Sequence, residues 1–508
     1  MQLSFNLIDQ AWIPCVTLEG DLSEVSLRDL FRRAPELREI ACATPIQSAA
    51  VLPLALAVLH RVFGPATLAD WKALWNTSAF DMPRLDAYFT QWHERFDLFH
   101  PQRPFYLALV KQVKPRSLIH LVHSKGNTKT LFTHETDEDG IDASPAEAAS
   151  LLITSRHFRT CGAGSSIGKR RTYEKDSPFA RGVIFWAKGA RLYDTLRLNL
   201  MLYTKGRPMD NSEDDAPAWE MDDPFRARSS PLGYLDYLTW SNNRIQLIPQ
   251  FKDGRLVVRE AIVAPAIALS PDVRSPQKCY LRRESRGEVT FRRLDFDADK
   301  ALWRNYHSLL PQAQAADDPP SKIVAWLSTL VQFRLLARDY PLQLMATGML
   351  VKDNAKVVFY RKEIMPLPPA ILQEADHAAD IADVLKQAED IGRALDGALN
   401  TLAQHILLRG GGGKTTNKER KGLIQNWHAR ERYWAELEQR FQSFIHNLIN
   451  DSDEAKRDWA AALRETALDA LTLASKRAGS RPWALKGSIA AERGLFRALK
   501  KLVREEVQ

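Results

Sequence analysis

The chain changes character at Met365-Pro366-Leu367-Pro368-Pro369. Before this stretch, short β-branched and aromatic runs alternate with helical segments and with Pro, Gly and Asp punctuation. After it, strand signals almost vanish. Clustered prolines stiffen a backbone and interrupt regular structure, so the stretch is expected to be an interdomain connection. The fold class that follows is α+β. A large mixed domain is expected over 1–365, followed by a C-terminal four-helix bundle over 366–508.

The bundle is read from periodicity. Ile424, Trp427, Tyr433, Trp434, Leu437, Phe441, Phe444, Ile445 and Leu448 recur mostly three or four residues apart. They would line one face of a single long amphipathic helix. Similar spacing runs through 381–408, 459–473 and 490–503, and short connections between four such helices suit a bundle.

Strands are harder to place in the first 365 residues. Phe5–Asp9 and Trp12–Pro14 look like a strand and turn. Leu235–Trp240 and Arg244–Ile248 alternate as a hairpin around Ser241-Asn242-Asn243 would. Met349–Val351 and Lys356–Tyr360 flank the polar turn Lys352-Asp353-Asn354-Ala355, which predicts a second hairpin.

The 508 residues carry 70 Lys+Arg against 62 Asp+Glu, a net charge of +8. With 45% hydrophobic and 26% charged residues, disorder as the main state is excluded. The position of the charge matters more than its sum. Residues 401–508 hold 20 Lys and Arg against 13 Asp and Glu, so an excess of seven lies in the last fifth of the chain. Arg409–Arg432 holds seven basic residues, including Lys414, Lys418, Arg420 and Lys421, against two acidic ones. Arg156–Arg181 also holds seven against two, with Arg156, Arg159, Lys169, Arg170 and Arg171 around the small-residue run Gly162-Ala163-Gly164-Ser165-Ser166. Either run alone reads as a solvated face. Two of them, one with glycines that admit a ligand close to the backbone, suggest a surface for phosphate backbones.

Local catalytic patterns do not hold up. Gly413-Lys414-Thr415 ends like a phosphate-binding loop, but Leu408 occupies the first glycine position and a helix precedes it. Gly162-x-Gly164-xxx-Gly168 misses dinucleotide spacing. Glu374-Ala375-Asp376-His377 has no second ExxH with which to build a di-iron bundle. Cys15, Cys42, Cys161 and Cys279 form no CxxC pair, which points to reduced thiols and no zinc knuckle. The start of the chain has no signal-peptide pattern, and the apolar run Ala49–Leu59 is broken by Pro53. A cytoplasmic, soluble, non-membrane protein without cofactor or metal is expected, with a binding role favoured over catalysis.

Several stretches together resemble one family, the large (CasA) subunit of the type I-E CRISPR surveillance complex, Cascade. Phe5–Pro14 resembles its N-terminal strand and WIP turn. Gly233–Trp240 followed by Arg244–Leu247 resembles its mid-domain signature. Leu302-Trp303, the Gly348–Tyr360 hairpin and Ala429–Trp434 follow in the family's order, from end to end of the chain.

The resemblance implies a subunit without enzymatic activity. Its partners would be a guide RNA, the backbone, 5′-handle-binding, small and guide-processing subunits, double-stranded target DNA and a helicase-nuclease. The guide would read the target, and this subunit the short protospacer-adjacent motif (PAM). The family's hairpin wedge matches Lys352, Asp353, Asn354 and Ala355, with Asn354 where a glutamine is common. Its glycine loop, which approaches the minor groove, matches Gly162, Ala163 and Gly164, and Lys169, Arg170 and Arg171 would contact DNA beside it. The minor-groove code is degenerate, so backbone contact there gives relaxed recognition. A cationic finger matches Arg292 or Arg293. A loop contacting guide RNA and neighbouring subunits matches Asn127, Lys129 and Phe132, with core packing as the alternative for Phe132. Lys414, Lys418, Arg420 and Lys421 would follow the displaced strand. Where some members carry a zinc cluster, only Cys279 stands here, so no zinc is expected.

Two rival readings remain from sequence: a metal-dependent nuclease or helicase accessory enzyme, and a non-specific basic RNA-binding scaffold. The first requires clustered carboxylates and histidines, the second indifference to flanking trinucleotides.

Overall fold

The structure is a computed structural model that describes residues 3–106, 114–122, 140–167, 170–285, 287–313, 320–352, 355–409, 411 and 413–502. The chain divides into two compact units. One comprises Met1–Ala298, Asp317–Leu335 and Pro341–Ile364; the other Asp299–Ala316, Leu336–Tyr340 and Met365–Gln508. The mixed helix-and-sheet architecture with a helical C-terminal region agrees with the α+β expectation.

The first unit is organised around helix α1, Pro45–Phe63. Thr44 caps it, accepting from Gln47 N while the Gln47 side chain reaches back, and Pro45 occupies the first turn. Every residue from Ala49 to His60 is buried. The helix is long and apolar enough to cross a membrane by composition, but 72% of that window is buried inside the fold, which makes it a core helix. Helix α2, Pro145–Phe158, packs against it.

The strands are β1 (Ile13–Thr17), β2 (Leu22–Val25), β3 (Leu37–Ile40), β4 (Arg116–Ser117), β5 (Gly162–Ile167), β6 (Arg170–Glu174), β7 (Val183–Lys188), β8 (Asn243–Lys252), β9 (Arg255–Pro265), β10 (Tyr280–Ser285), β11 (Glu288–Arg293), β12 (Gln343–Lys352) and β13 (Lys356–Pro366). They form small sheets in the orders β2-β1-β3, β4-β9-β8 and β13-β12-β7, plus the two-stranded ribbons β5-β6 and β10-β11. The hairpin expected around 352–355 forms, as β12 and β13. The hairpin expected between 235 and 248 does not. Tyr234–Leu238 is a short helix, α3, buried on all sides. The Asp215 carboxylate accepts from Leu235 N and Asp236 N at 2.9 Å each, so a distant side chain caps it. The residues expected in the second strand pair instead with β9 around Asp253-Gly254. Both turn residues have positive φ, 50° and 75°, the twist a two-residue hairpin requires.

Among the described residues the second unit holds four long helices: α4 (Ala375–Leu408), α6 (Ala429–Leu448), α7 (Ser452–Ala478) and α8 (Pro482–Leu502), with the short α5 (Asn417–Gln425) before α6. The expected single helix from Ile424 to Leu448 is therefore two, broken at His428, whose φ is 49°. Trp427 and the apolar face from Tyr433 to Leu448 are nevertheless buried. A 3-10 segment, Leu302–Leu309, belongs to this unit although it precedes the proline stretch. Trp303 stacks on Phe441 at 5.0 Å, and the Arg304 guanidinium lies 3.4 Å over Trp434 while gripping both Glu389 oxygens. Aromatic stacking and a forked ion pair thus fix this segment to the bundle.

Candidate nucleic-acid interface

The small-residue run is a strand. Gly162 pairs with Glu174 and Ala163 with Tyr173, and the register then slips before Ser166 meets Arg171. The slip is a bulge at Gly164-Ser165, which bends a strand and re-aims it. Ser165 is fully buried and its Oγ accepts from Val263 N at 3.1 Å, pinning the bulge to β9. Asp176 closes the base of the ribbon. Its carboxylate accepts from Cys161 N at 2.6 Å and pairs with Arg181 Nε at 2.6 Å.

One further element touches the residues that lead into this ribbon. Thr160 Oγ1 donates to Ala355 O at 3.3 Å, so a residue two positions before the ribbon touches the tip of the β12–β13 hairpin. Lys352, at the end of β12, is exposed. Asp353, Asn354 and Lys169 lie outside the described residues, and Arg170 and Arg171 are placed in β6. The end of β11 meets the start of β7. Val183 N donates to Leu294 O at 2.9 Å, and Gly182, at φ +88°, leaves room for the Arg293 side chain, which a Cβ would meet at 3.2 Å.

The structure distinguishes the two candidate arginines. Arg293 pairs with Asp295 at 3.0 Å. Arg292 is exposed on the opposite face of the ribbon, across from Leu281, and has no side-chain partner among the described residues. Phe291, on the same face as Arg293, is 37% exposed beneath the Arg274 guanidinium at 4.3 Å.

One expected contact is corrected, and two other arginines find partners within the chain. Arg156 cannot reach a phosphate: it is 1% exposed, donating to Asn243 O at 2.6 Å and to Tyr106 O. Burial pulls its guanidinium down to about 10. Arg159 donates to His120 O at 3.1 Å. In the second basic run, Lys414, Lys418 and Lys421 are exposed, but Arg420 folds back onto Thr415 O at 2.9 Å and Thr415 Oγ1 at 2.6 Å. That arginine braces the loop before α5, where Thr416 and Glu419 form a capping box. No strand leads into Gly413-Lys414-Thr415, because α4 runs to Leu408. Asn127, Lys129 and Phe132 lie outside the described residues. Cys279 is buried and its thiol is pushed up to about 12. No cluster of His, Cys, Asp and Glu able to hold a metal occurs among the described residues.

Asp176, Thr160 and Ser165 were missed from sequence. Thr160 and Ser165 act through partners distant in the chain, and Asp176 closes a ribbon whose bulge leaves no local signature.

A family model for CRISPR-associated protein Cse1 matches residues 6–470. The chain belongs to the Cse1 (CasA) family. It is 30% identical to the CRISPR-associated protein CasA/Cse1 of Thermus thermophilus over 99% of this chain and 98% of that one. The Cse1 crystal structure from Thermobifida fusca shares its fold at a TM-score of 0.86, with 22% identity and 99% of each chain covered. A chain of a structure titled as a CRISPR RNA-guided surveillance complex follows at 0.73, with 21% identity, covering 97% of this chain and 99% of that one. The family drawn from Phe5–Pro14, Gly233–Trp240 and the later motifs is thus borne out, and Cse1 members align with both units.

Proposed function

We propose that this Cse1-family chain is the large subunit of an RNA-guided surveillance complex and reads the PAM, mainly from the minor groove. One observation carries the reading: Thr160 joins the glycine-bearing ribbon to the tip of the β12–β13 hairpin. A duplex whose minor groove faces Gly162, Ala163 and Gly164 would then meet Lys352–Ala355 at its next base step. The ribbon supplies backbone groups where the groove is narrow, and the hairpin tip acts as the wedge that separates strands. Arg292, free on its ribbon, is the better candidate for a cation entering the groove. Lys169, Arg170 and Arg171 position the phosphates, which sets register without reading sequence. Lys414, Lys418 and Lys421 carry the displaced strand. Asn127, Lys129 and Phe132 contact guide RNA and neighbouring subunits, and catalysis belongs to the helicase-nuclease that the assembled complex recruits.

The test is guide-dependent duplex binding by the reconstituted complex, with and without this chain, across a library of flanking trinucleotides. A preference that appears only with the chain supports the reading, and equal binding to all trinucleotides sinks it. Gly164→Asp should abolish duplex binding and leave assembly intact, because a carboxylate would face phosphates where backbone now lies.

A further inference from the structure

Beneath the interface lies a lysine that makes no exposed contact. Lys278 precedes β10, bridges to Ile184 of β7 and is 9% exposed. Its Nζ donates to Pro178 O at 2.7 Å. Pro178 belongs to the connection between β6 and β7, the same segment whose Asp176 clamps the ribbon base. The lysine stem also lies against Gly182, where a Cβ would meet Lys278 Cδ at 3.4 Å and Arg293 Cδ at 3.2 Å. One side chain therefore touches the start of β7 and the Asp176 segment, with Arg293 at the end of β11 packed against the same glycine. The charged groups facing it are Arg293 and Asp295 from β11 and its continuation, and Asp176 from the connection.

We propose that Lys278 is a positioning residue for motif reading: its ammonium holds the Pro178–Asp176 segment in register with β11, and loss of the proton loosens the placement of the Gly162 ribbon. The inference rests on the function proposed above. The physics is that of a charge-assisted hydrogen bond, roughly twice as strong as a neutral one, and of attraction to the Asp176 carboxylate. Burial first, and then the nearby Arg293, pull the amine from 10.5 down to about 7. It therefore changes charge near neutrality, where an exposed lysine stays charged.

The experiment measures the ratio of affinities for a favoured and a disfavoured PAM, using the reconstituted complex between about pH 6 and about pH 8.5, either side of the titration. In the native protein the ratio should fall by about fivefold or more as pH rises, the low end of ordinary coupling between sites. Lys278→Arg, which keeps its charge, should hold the low-pH ratio throughout. Lys278→Met should stay at the high-pH ratio throughout. Parallel pH profiles for native protein and Lys278→Met overturn the inference, as does a Lys278→Arg profile that falls like the native one. Should Lys278→Met fail to fold, native protein against Lys278→Arg decides alone. Discrimination that persists without pH dependence sinks only the role of Lys278, whereas no discrimination at any pH sinks the proposed function itself.

Discussion

Replacing Gly348 with alanine tests whether the β12–β13 hairpin is aimed by its seat on β7. Gly348 pairs with Val183, and a Cβ there would stand 2.7 Å from Gly182 O and 3.3 Å from the Phe296 ring. Ordinary contact begins near ~3.4 Å, so about 0.7 Å must open. The obstructing atom is a backbone carbonyl of a glycine that is itself packed against Arg293 and Lys278, so it has no rotamer by which to escape. Overpacking of this kind costs about 1–3 kcal/mol. For a unit of this size, larger than the domains for which each kcal/mol costs about 2–4 °C, each kcal/mol lowers Tm by about 1.5 °C, giving a drop of about 1.5–4 °C. The strand runs about four residues beyond Gly348, some ~13 Å at ~3.3 Å per residue. Opening by ~0.7 Å across a strand spacing of ~4.8 Å then swings the tip by roughly 2 Å. Thermal melting of the chain and PAM-dependent binding by the complex read the two effects, and motif preference should fall about tenfold, the equivalent of ~1.4 kcal/mol. A Tm within about 1 °C of native together with unchanged preference would refute the reasoning.

Three other outcomes follow from the geometry. Neutralising Lys414, Lys418 and Lys421 together should flatten the salt dependence of target binding by about 2 in the log–log slope, the contribution of three single-strand phosphate contacts; an unchanged slope removes them from the strand's path. Arg156→Gln should destabilise the chain by about 2–4 kcal/mol in urea unfolding, because carbonyls it satisfies lose a buried donor, while the salt slope of DNA binding stays native. Burial holds His60 and His157 down to about 3. The unfolded chain binds those protons near 6.5, so stability is full above that pH and falls as pH drops towards 3, by about 2 kcal/mol per histidine at about pH 5. Urea unfolding of His60→Leu should show a shallower acid loss than native protein, and identical slopes would contradict the burial argument.

What could be read from sequence follows from how local each feature is. The long helices of the second unit were legible because Tyr433, Leu437, Phe441, Phe444 and Leu448 repeat at helical spacing with nothing competing. Their break at His428 was not, since the periodicity carries across a left-handed residue. The β12–β13 hairpin was legible from its polar turn. The β8–β9 hairpin had a stronger signal in Asp253-Gly254, but alternation in Leu235–Trp240 drew the pairing to the wrong segment. There burial on all sides and the cap from Asp215 decide for helix. Basic runs in the sequence did not reveal which of their side chains stay exposed. Arg156 turns inward onto a carbonyl that only tertiary structure brings near, whereas Arg420 folds back onto the Thr415 carbonyl and hydroxyl just before its own helix. Lys278 was invisible for the same reason as Arg156: its partner Pro178 lies far away in the chain.

The central claim is that the glycine-bearing ribbon and the hairpin tip meet the same stretch of duplex. A photocrosslinking amino acid at Ala355, in the complex assembled with guide and target, measures this most directly. Crosslinks confined to the two or three base pairs flanking the target on the PAM side, and lost when the PAM is changed, are the result predicted. Crosslinks spread evenly along the duplex, or formed only with guide RNA, would contradict it.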